Sequence, residues 1–283
     1  MQKETLMLLF AMLLWAGGWS ALKILTGYVS MEVLVFWRFL LMSIAFLPIL
    51  YFVKEPLHLK WSGLKFVIAS SIFNLLFMVF SYFGIKNSFA GSGSVIITIL
   101  SPIATFLLAS VVFQKALTKR ELFGLFLGLV GGVVMLKLYT LEKFSSGNIY
   151  FVLCALSWAV VTLLAQHSKE HIHPVHYSFY IAVVATMASF FVALGEPLSV
   201  VFEQDSTFWG ALLFLAVFGQ TIATTIFFVA SGKIGSQKTS SFMFLVPLFS
   251  LVIAWAVLGE EIELEVALGG VFGIVGIVFL HKK

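Results

Sequence analysis

Ten runs of about twenty apolar residues fill most of this chain, and no other feature restricts its fold as severely. A helix rises about 1.5 Å per residue, so about 20 residues cross a hydrocarbon core of about 30 Å. The runs lie near 5–25, 31–53, 63–85, 92–113, 121–138, 147–166, 174–194, 207–231, 238–258 and 264–281. The connectors left over are too short to hold a soluble domain. A transmembrane barrel would alternate apolar and polar residues, whereas these runs are apolar throughout. In hydrocarbon, such a run satisfies its own backbone only as a helix. The expected fold class is therefore an all-α polytopic membrane protein with ten transmembrane helices.

The charges agree with this reading. Only 11% of the 283 residues are charged, against about 25% in soluble domains. Seventeen Lys and Arg against thirteen Asp and Glu give +4, too sparse for a nucleic-acid surface or a disordered chain. The basic residues instead report topology. Lys3, Lys54, Lys60, Lys65, Lys115, Lys119, Arg120, Lys169, Lys233, Lys238, Lys282 and Lys283 fall on the side of the N-terminus. Lys23, Lys86, Lys137 and Lys143 fall on the other. The positive-inside rule then places both termini in the cytoplasm. The first run has the length of a full span, holds Trp15 and Trp19, and is followed by no clear small-residue cleavage site, so it is expected to be retained. A single cysteine, Cys154, excludes an intramolecular disulfide and a multi-thiolate metal site.

The chain repeats itself. Pro102 and Pro247 stand 145 residues apart, and the same shift carries Gly124, Gly128 and Gly131 onto Gly269, Gly273 and Gly276. Trp15-Ala16 and Trp158-Ala159 match at a shift of 143. Two five-span modules follow, 1–140 and 145–283. An odd number of spans per module turns the second upside down. Inverted repeats of this kind support alternating access around a central site near the bilayer midplane.

The ordered motifs carry a resemblance. They are Leu14-Trp15-Ala16-Gly17-Gly18, Phe36-Trp37-Arg38-Phe39, Ala90-Gly91-Ser92-Gly93-Ser94 through Pro102, Ile234-Gly235-Ser236 through Pro247, and Leu258-Gly259-Glu260-Glu261, with a glycine-rich helix closing each half. The chain resembles the drug/metabolite transporter superfamily, in its EamA type with two five-helix modules, over almost its whole length. The resemblance implies an inverted-repeat carrier in a bacterial inner membrane. It also implies metabolite efflux, with amino acids, related weakly charged compounds or toxic compounds as cargo. It further implies that the glycine-rich fifth and tenth spans pair away from the solute path.

Several residues stand out as candidates for solute contact. Arg38 is the one charge well inside a span, where it should face a cavity or a partner; a solute carboxylate, an outer gate, snorkelling to the headgroups and a structural bond to helix-end carbonyls are its alternatives. Asn74 and Gln220 are amides in hydrocarbon at nearly equivalent repeat positions, and such groups need partners. With Tyr82 and Thr221 they are expected to form a cavity wall, or else interhelical glue. Trp15, Trp19 and Trp158 offer indole faces to an apolar solute portion. Pro102 and Pro247 each free a backbone carbonyl and would give matching kinks for a gate. Gly124, Gly128, Gly131, Gly269, Gly273 and Gly276 fit close helix packing.

Some chemistry is absent. No Asp or Glu lies deep in a span, so proton antiport through a buried carboxylate has no support. One deep cation is too few for a phosphorylated-sugar or nucleotide carrier. His167 and His171 share helical spacing, yet Pro174 interrupts the segment and no metal site is expected. No Ser–His pair lies at depth, which argues against a membrane enzyme, and no rings of polar residues suggest a channel. No cofactor or nucleic acid is expected. The partners are the bilayer and a small solute, with a monomer or homodimer as the assembly.

Overall fold

The computed structural model describes residues 2–53, 57, 59–88, 90–137, 146–253 and 264–281. Lys54, Lys143, Lys282, Lys283 and the Leu258-Gly259-Glu260-Glu261 motif, all used above, lie outside the described residues. Those described are helical apart from short connectors, with no strand among them. The helices are α1 (Gln2–Leu25), α2 (Met31–Phe52), α3 (Trp61–Asn87), α4 (Ala90–Val112) and α5 (Lys119–Met135). The second half holds α6 (Asn148–Ser168), α7 (Pro174–Val192), α8 (Ser206–Ile234), α9 (236–253) and α10 (Leu264–His281). Eight of these elements are long and apolar enough to span a bilayer. Helix α5 has 17 residues and α9 is internally broken, and these two complete the ten.

Local chemistry sets the helix ends. Thr118 and Glu121 form a reciprocal capping box that starts α5. The Asp205 carboxylate accepts the Phe208 backbone N–H at 2.9 Å and caps α8. Pro174 occupies the first turn of α7, where its missing N–H costs nothing. Large apolar side chains such as Phe10, Ile44, Phe126 and Val271 remain exposed along the spans. They suit a lipid-facing surface, where exposure carries no hydrophobic penalty.

The helix contacts have a two-fold logic. Helix α6 packs on α3 and α4, and its counterpart α1 packs on α8 and α9. Helices α2 and α7 pack on each other, as do α5 and α10. Exchanging the halves maps each of these contacts onto another or onto itself. At one end lie Glu4, Lys169 and Lys233, with the Lys169 ammonium donating to the Gly232 carbonyl at 3.0 Å. At the other end the Tyr28 hydroxyl donates to Asp205 at 3.2 Å, and the Ser30 hydroxyl to Glu196 at 3.1 Å. Partial desolvation and the Asp205 carboxylate push the Tyr28 phenol above its usual range.

Two spans depart from regular helix. Residues Phe214–Ala223 of α8 form a π-helix, and Phe242–Leu245 of α9 form a 3-10 turn. The two prolines that the repeat pairs therefore sit in different local structure. Pro102 lies within the continuous helix α4. Pro247 instead follows the 3-10 turn at the second position of Val246–Ile253. Its ring nitrogen cannot bond the Met243 carbonyl four residues back, and the Val246 N–H takes that carbonyl in 3-10 register.

Candidate functional site

A cavity of about 90 Å³ lies between the halves, walled by helices of both. Trp15, Trp19, Arg38, Trp158 and Gln220 line it. The indoles of Trp15 and Trp158, mates across the repeat, meet edge to face with centroids 5.2 Å apart. Phe77 extends the aromatic wall, its ring 5.3 Å from that of Trp158, and Phe227 packs behind Trp158 at 5.6 Å. The N–H groups of the two indoles differ. Trp15 Nε1 donates to the Gly219 carbonyl at 3.1 Å, while Trp158 Nε1 is buried without a partner.

Arg38 is 6% exposed, so it does not snorkel. One terminal nitrogen donates to Gln220 Oε1 at 2.6 Å, and its Nε is buried without a partner. No carboxylate among the described residues pairs with it. The guanidinium is thus held by one neutral acceptor in a largely apolar wall, and two buried donors, Arg38 Nε and Trp158 Nε1, stand without acceptors on the same cavity.

The π-helix explains which polar residues reach this wall. The Thr224 backbone N–H and hydroxyl both take the Gly219 carbonyl, five residues back. Thr221 likewise donates to the Ala216 carbonyl at 2.9 Å. A wider turn leaves Gln220 and Thr224 on the cavity and turns Thr221 into the packed interior, where it is fully buried. Thr221 is therefore not a wall residue in this structure. Nor are Asn74 and Tyr82. Asn74 is fully buried one turn from Met78, and neither its amide nitrogen nor its oxygen has a partner. The Tyr82 hydroxyl donates to the Val29 carbonyl at 3.3 Å, tying α3 to the α1–α2 connector.

Sequence reasoning missed Gly18, Met78, Thr98 and Met243 on the wall. For two of them a signal exists. Thr98 and Met243 stand 145 residues apart, each four residues before a repeat proline. The histidines do not converge on a common point. His167 and His171 stack on Phe66 at 6.4 and 5.3 Å, and His167 also stacks on Phe113 at 5.1 Å. No group of metal-ligating side chains occurs among the described residues.

The glycine-rich helices meet backbone to backbone, away from the cavity. A methyl group on Gly131 would stand 2.7 Å from the Gly269 carbonyl oxygen, and one on Gly276 would stand 2.8 Å from that of Gly124. Gly128 and Gly273 instead receive Phe244, which wedges between α5 and α10.

The family model for EamA-like transporters matches the chain twice, over residues 2–137 and 145–281. The chain belongs to the EamA-like transporter family. An uncharacterized transporter of Archaeoglobus fulgidus is 27% identical over 99% of this chain and 98% of its own length. A second, from Synechocystis, is 29% identical over 81% of this chain and 75% of its own. An S-adenosylmethionine uptake transporter of Rickettsia prowazekii is 26% identical over 89% of this chain and 82% of its own. A solved crystal structure shares the fold with a TM-score of 0.74, at 16% identity, over 99% of this chain and 96% of that one. This EamA-like protein is thus a multi-pass membrane transporter of the drug/metabolite superfamily.

Proposed function

We propose that this EamA-like protein is a secondary carrier that exports small, weakly charged solutes, with amino acids and related carboxylates as the foremost class. The modules 1–140 and 145–283 alternate access to the Trp15–Arg38–Trp158 cavity, and Pro102 and the break before Pro247 supply the bending points. The protein sits in a bacterial inner membrane with both termini cytoplasmic, as its basic residues indicate. It carries out no covalent chemistry.

One observation carries the reading. A buried guanidinium with no carboxylate partner among the described residues lines an aromatic cavity at the junction of two inverted halves. An intramembrane charge costs at least about 2.5–3.5 kcal/mol unless something compensates it. A solute carboxylate would supply the missing partner through two parallel hydrogen bonds. The indoles would cover the solute's apolar portion. At about 90 Å³ the cavity is smaller than the roughly 300–1,000 Å³ of small-molecule sites. A solute must therefore widen it, which supports a mechanism in which binding and rearrangement are coupled. Broad-specificity export of toxic compounds is the second reading, favoured by the aromatic wall. S-adenosylmethionine also joins an amino-acid carboxylate to an aromatic base, and its named transporter is a relative.

A thermal-shift screen of the purified protein tests this. Ligands that bind only the folded state raise the melting temperature by mass action. Amino acids and S-adenosylmethionine should stabilise the native chain and lose that effect in Arg38→Gln. Stabilisation confined to solutes without a carboxylate, or unchanged in Arg38→Gln, would overturn it.

A further inference from the structure

A second cavity, of about 300 Å³, lies at the amino-terminal end, between the ends of α4 and α6, the start of α5 and the α8–α9 turn. Its wall is polar where that of the central cavity is aromatic. Lys115 and Lys238 line it, and neither has an ion-pair partner among the described residues. Glu121 also lines it, but one oxygen of that carboxylate accepts the Thr118 backbone N–H at 2.7 Å and its hydroxyl at 2.8 Å. The Ser236 side chain is 1% exposed, lines the cavity and has no hydrogen-bond partner.

Buried hydroxyls lie between this cavity and the central one along two helices. Helices α4 and α9 run in contact. On α4, Thr98 lines the central cavity and Phe106 the second, roughly 12 Å apart at the helical rise. Ser101 lies between them. On α9, Met243 lines the central cavity and Ser236 the second, with Thr239 between. Ser101 and Thr239 are fully buried, and neither hydroxyl has a partner. Buried polar groups are normally hydrogen-bonded, so a chain of unpartnered hydroxyls between two cavities points to groups that solute or water engages in passing.

We propose that the second cavity is an anion-attracting loading station for the central site, joined to it by this hydroxyl row, and that its ligand is the carboxylate end of the solute. The proposal rests on the carrier reading for its cargo. Two unpaired ammonium groups against one capped carboxylate give the mouth a net positive potential, which concentrates anions before they meet Arg38.

Cysteine chemistry tests the potential without any transport measurement. Cys154, the native cysteine, is buried and is replaced by Ala. Ser236→Cys is then labelled in neutral detergent with anionic, cationic and uncharged methanethiosulfonates. In each case the thiolate attacks sulfur, forms a mixed disulfide and releases methanesulfinate. After correction for intrinsic reactivity, the anionic reagent should win over the cationic by roughly tenfold. Lys115→Gln with Lys238→Gln should abolish that preference and leave the uncharged rate unchanged, which shows an intact fold. Gln237→Cys, on the same wall, replaces Ser236→Cys if the latter does not fold. A preference that ignores the lysines, or a cysteine inert to all three reagents, overturns the station. In proteoliposome flux, the double lysine variant should raise KM several-fold for a carboxylate solute and leave kcat unchanged; an unchanged KM overturns the loading role. Absence of any flux with a lysine-dependent labelling preference would count against the carrier reading instead.

Discussion

Arg38 and Gln220 define the site at the scale of single residues. Their 2.6 Å bond joins α2 of the first half to the π segment of α8 in the second. Removing the amide takes away the one acceptor that Arg38 has among the described residues, at a cost above that of a typical hydrogen bond. Gln220→Ala should therefore reduce flux at least tenfold at equal membrane abundance. Asn74→Leu should act differently. Its amide already lacks partners and does not touch the cavity, so an apolar replacement of similar size should leave flux within about twofold and leave or raise the melting temperature. Equal losses in the two variants would contradict this division. The two amides are indistinguishable in the sequence, since both sit in apolar runs at nearly equivalent repeat positions. What separates them is rotation about their own helices, and an apolar-all-round helix carries no pattern that fixes its rotation. Arg38 and the tryptophans were legible because a charge or a repeated indole in hydrocarbon has few uses.

Among the elements, α5 and α10 join the halves with backbone approaching backbone at Gly131–Gly269 and Gly124–Gly276, and with side chains such as Phe123 and Phe279 packed beside them. Gly131→Ala and Gly276→Ala each place a methyl against a carbonyl oxygen of the opposite helix. Each should destabilise the protein by about 1–3 kcal/mol, as overpacking does. Gly210, inside Ser206–Leu213 of α8, has open space around its Cα. There, alanine should be neutral or stabilising by about 0.5–1 kcal/mol, because glycine is a poor helix former. Melting curves of the three variants check the contrast, and similar shifts in all three would refute the packing account. The helices themselves were legible from apolar length, and the 145-residue register matched the glycine sets, while the pairing of those two spans came from the family resemblance. The irregular segments were not. Apolar periodicity does not mark the π turn at Phe214–Ala223, where the Trp15 indole and the Thr224 hydroxyl both donate to the Gly219 carbonyl. Pro247 did mark a break, but only the neighbouring Val246 N–H decided that it would be a 3-10 turn.

Across the whole molecule, inverted halves place one cavity at their junction and a second at one end. The two ends are closed by different chemistry. Hydroxyl–carboxylate bonds from Tyr28 and Ser30 bridge the halves at one end, and lysines with a polar cavity mark the other. Such an asymmetric pair of ends is what one state of an alternating carrier would present, with its mate obtained by exchanging the roles of the halves. Counterflow in proteoliposomes tests that claim most directly. Vesicles are loaded with an excess of the carboxylate solute that gives the largest thermal shift, and the labelled solute is added outside at trace concentration. Alternating access through the Arg38 site requires a saturable transient overshoot of label inside, lost in Arg38→Gln. Flux that is linear in concentration without overshoot, or an overshoot untouched by Arg38→Gln, would contradict it.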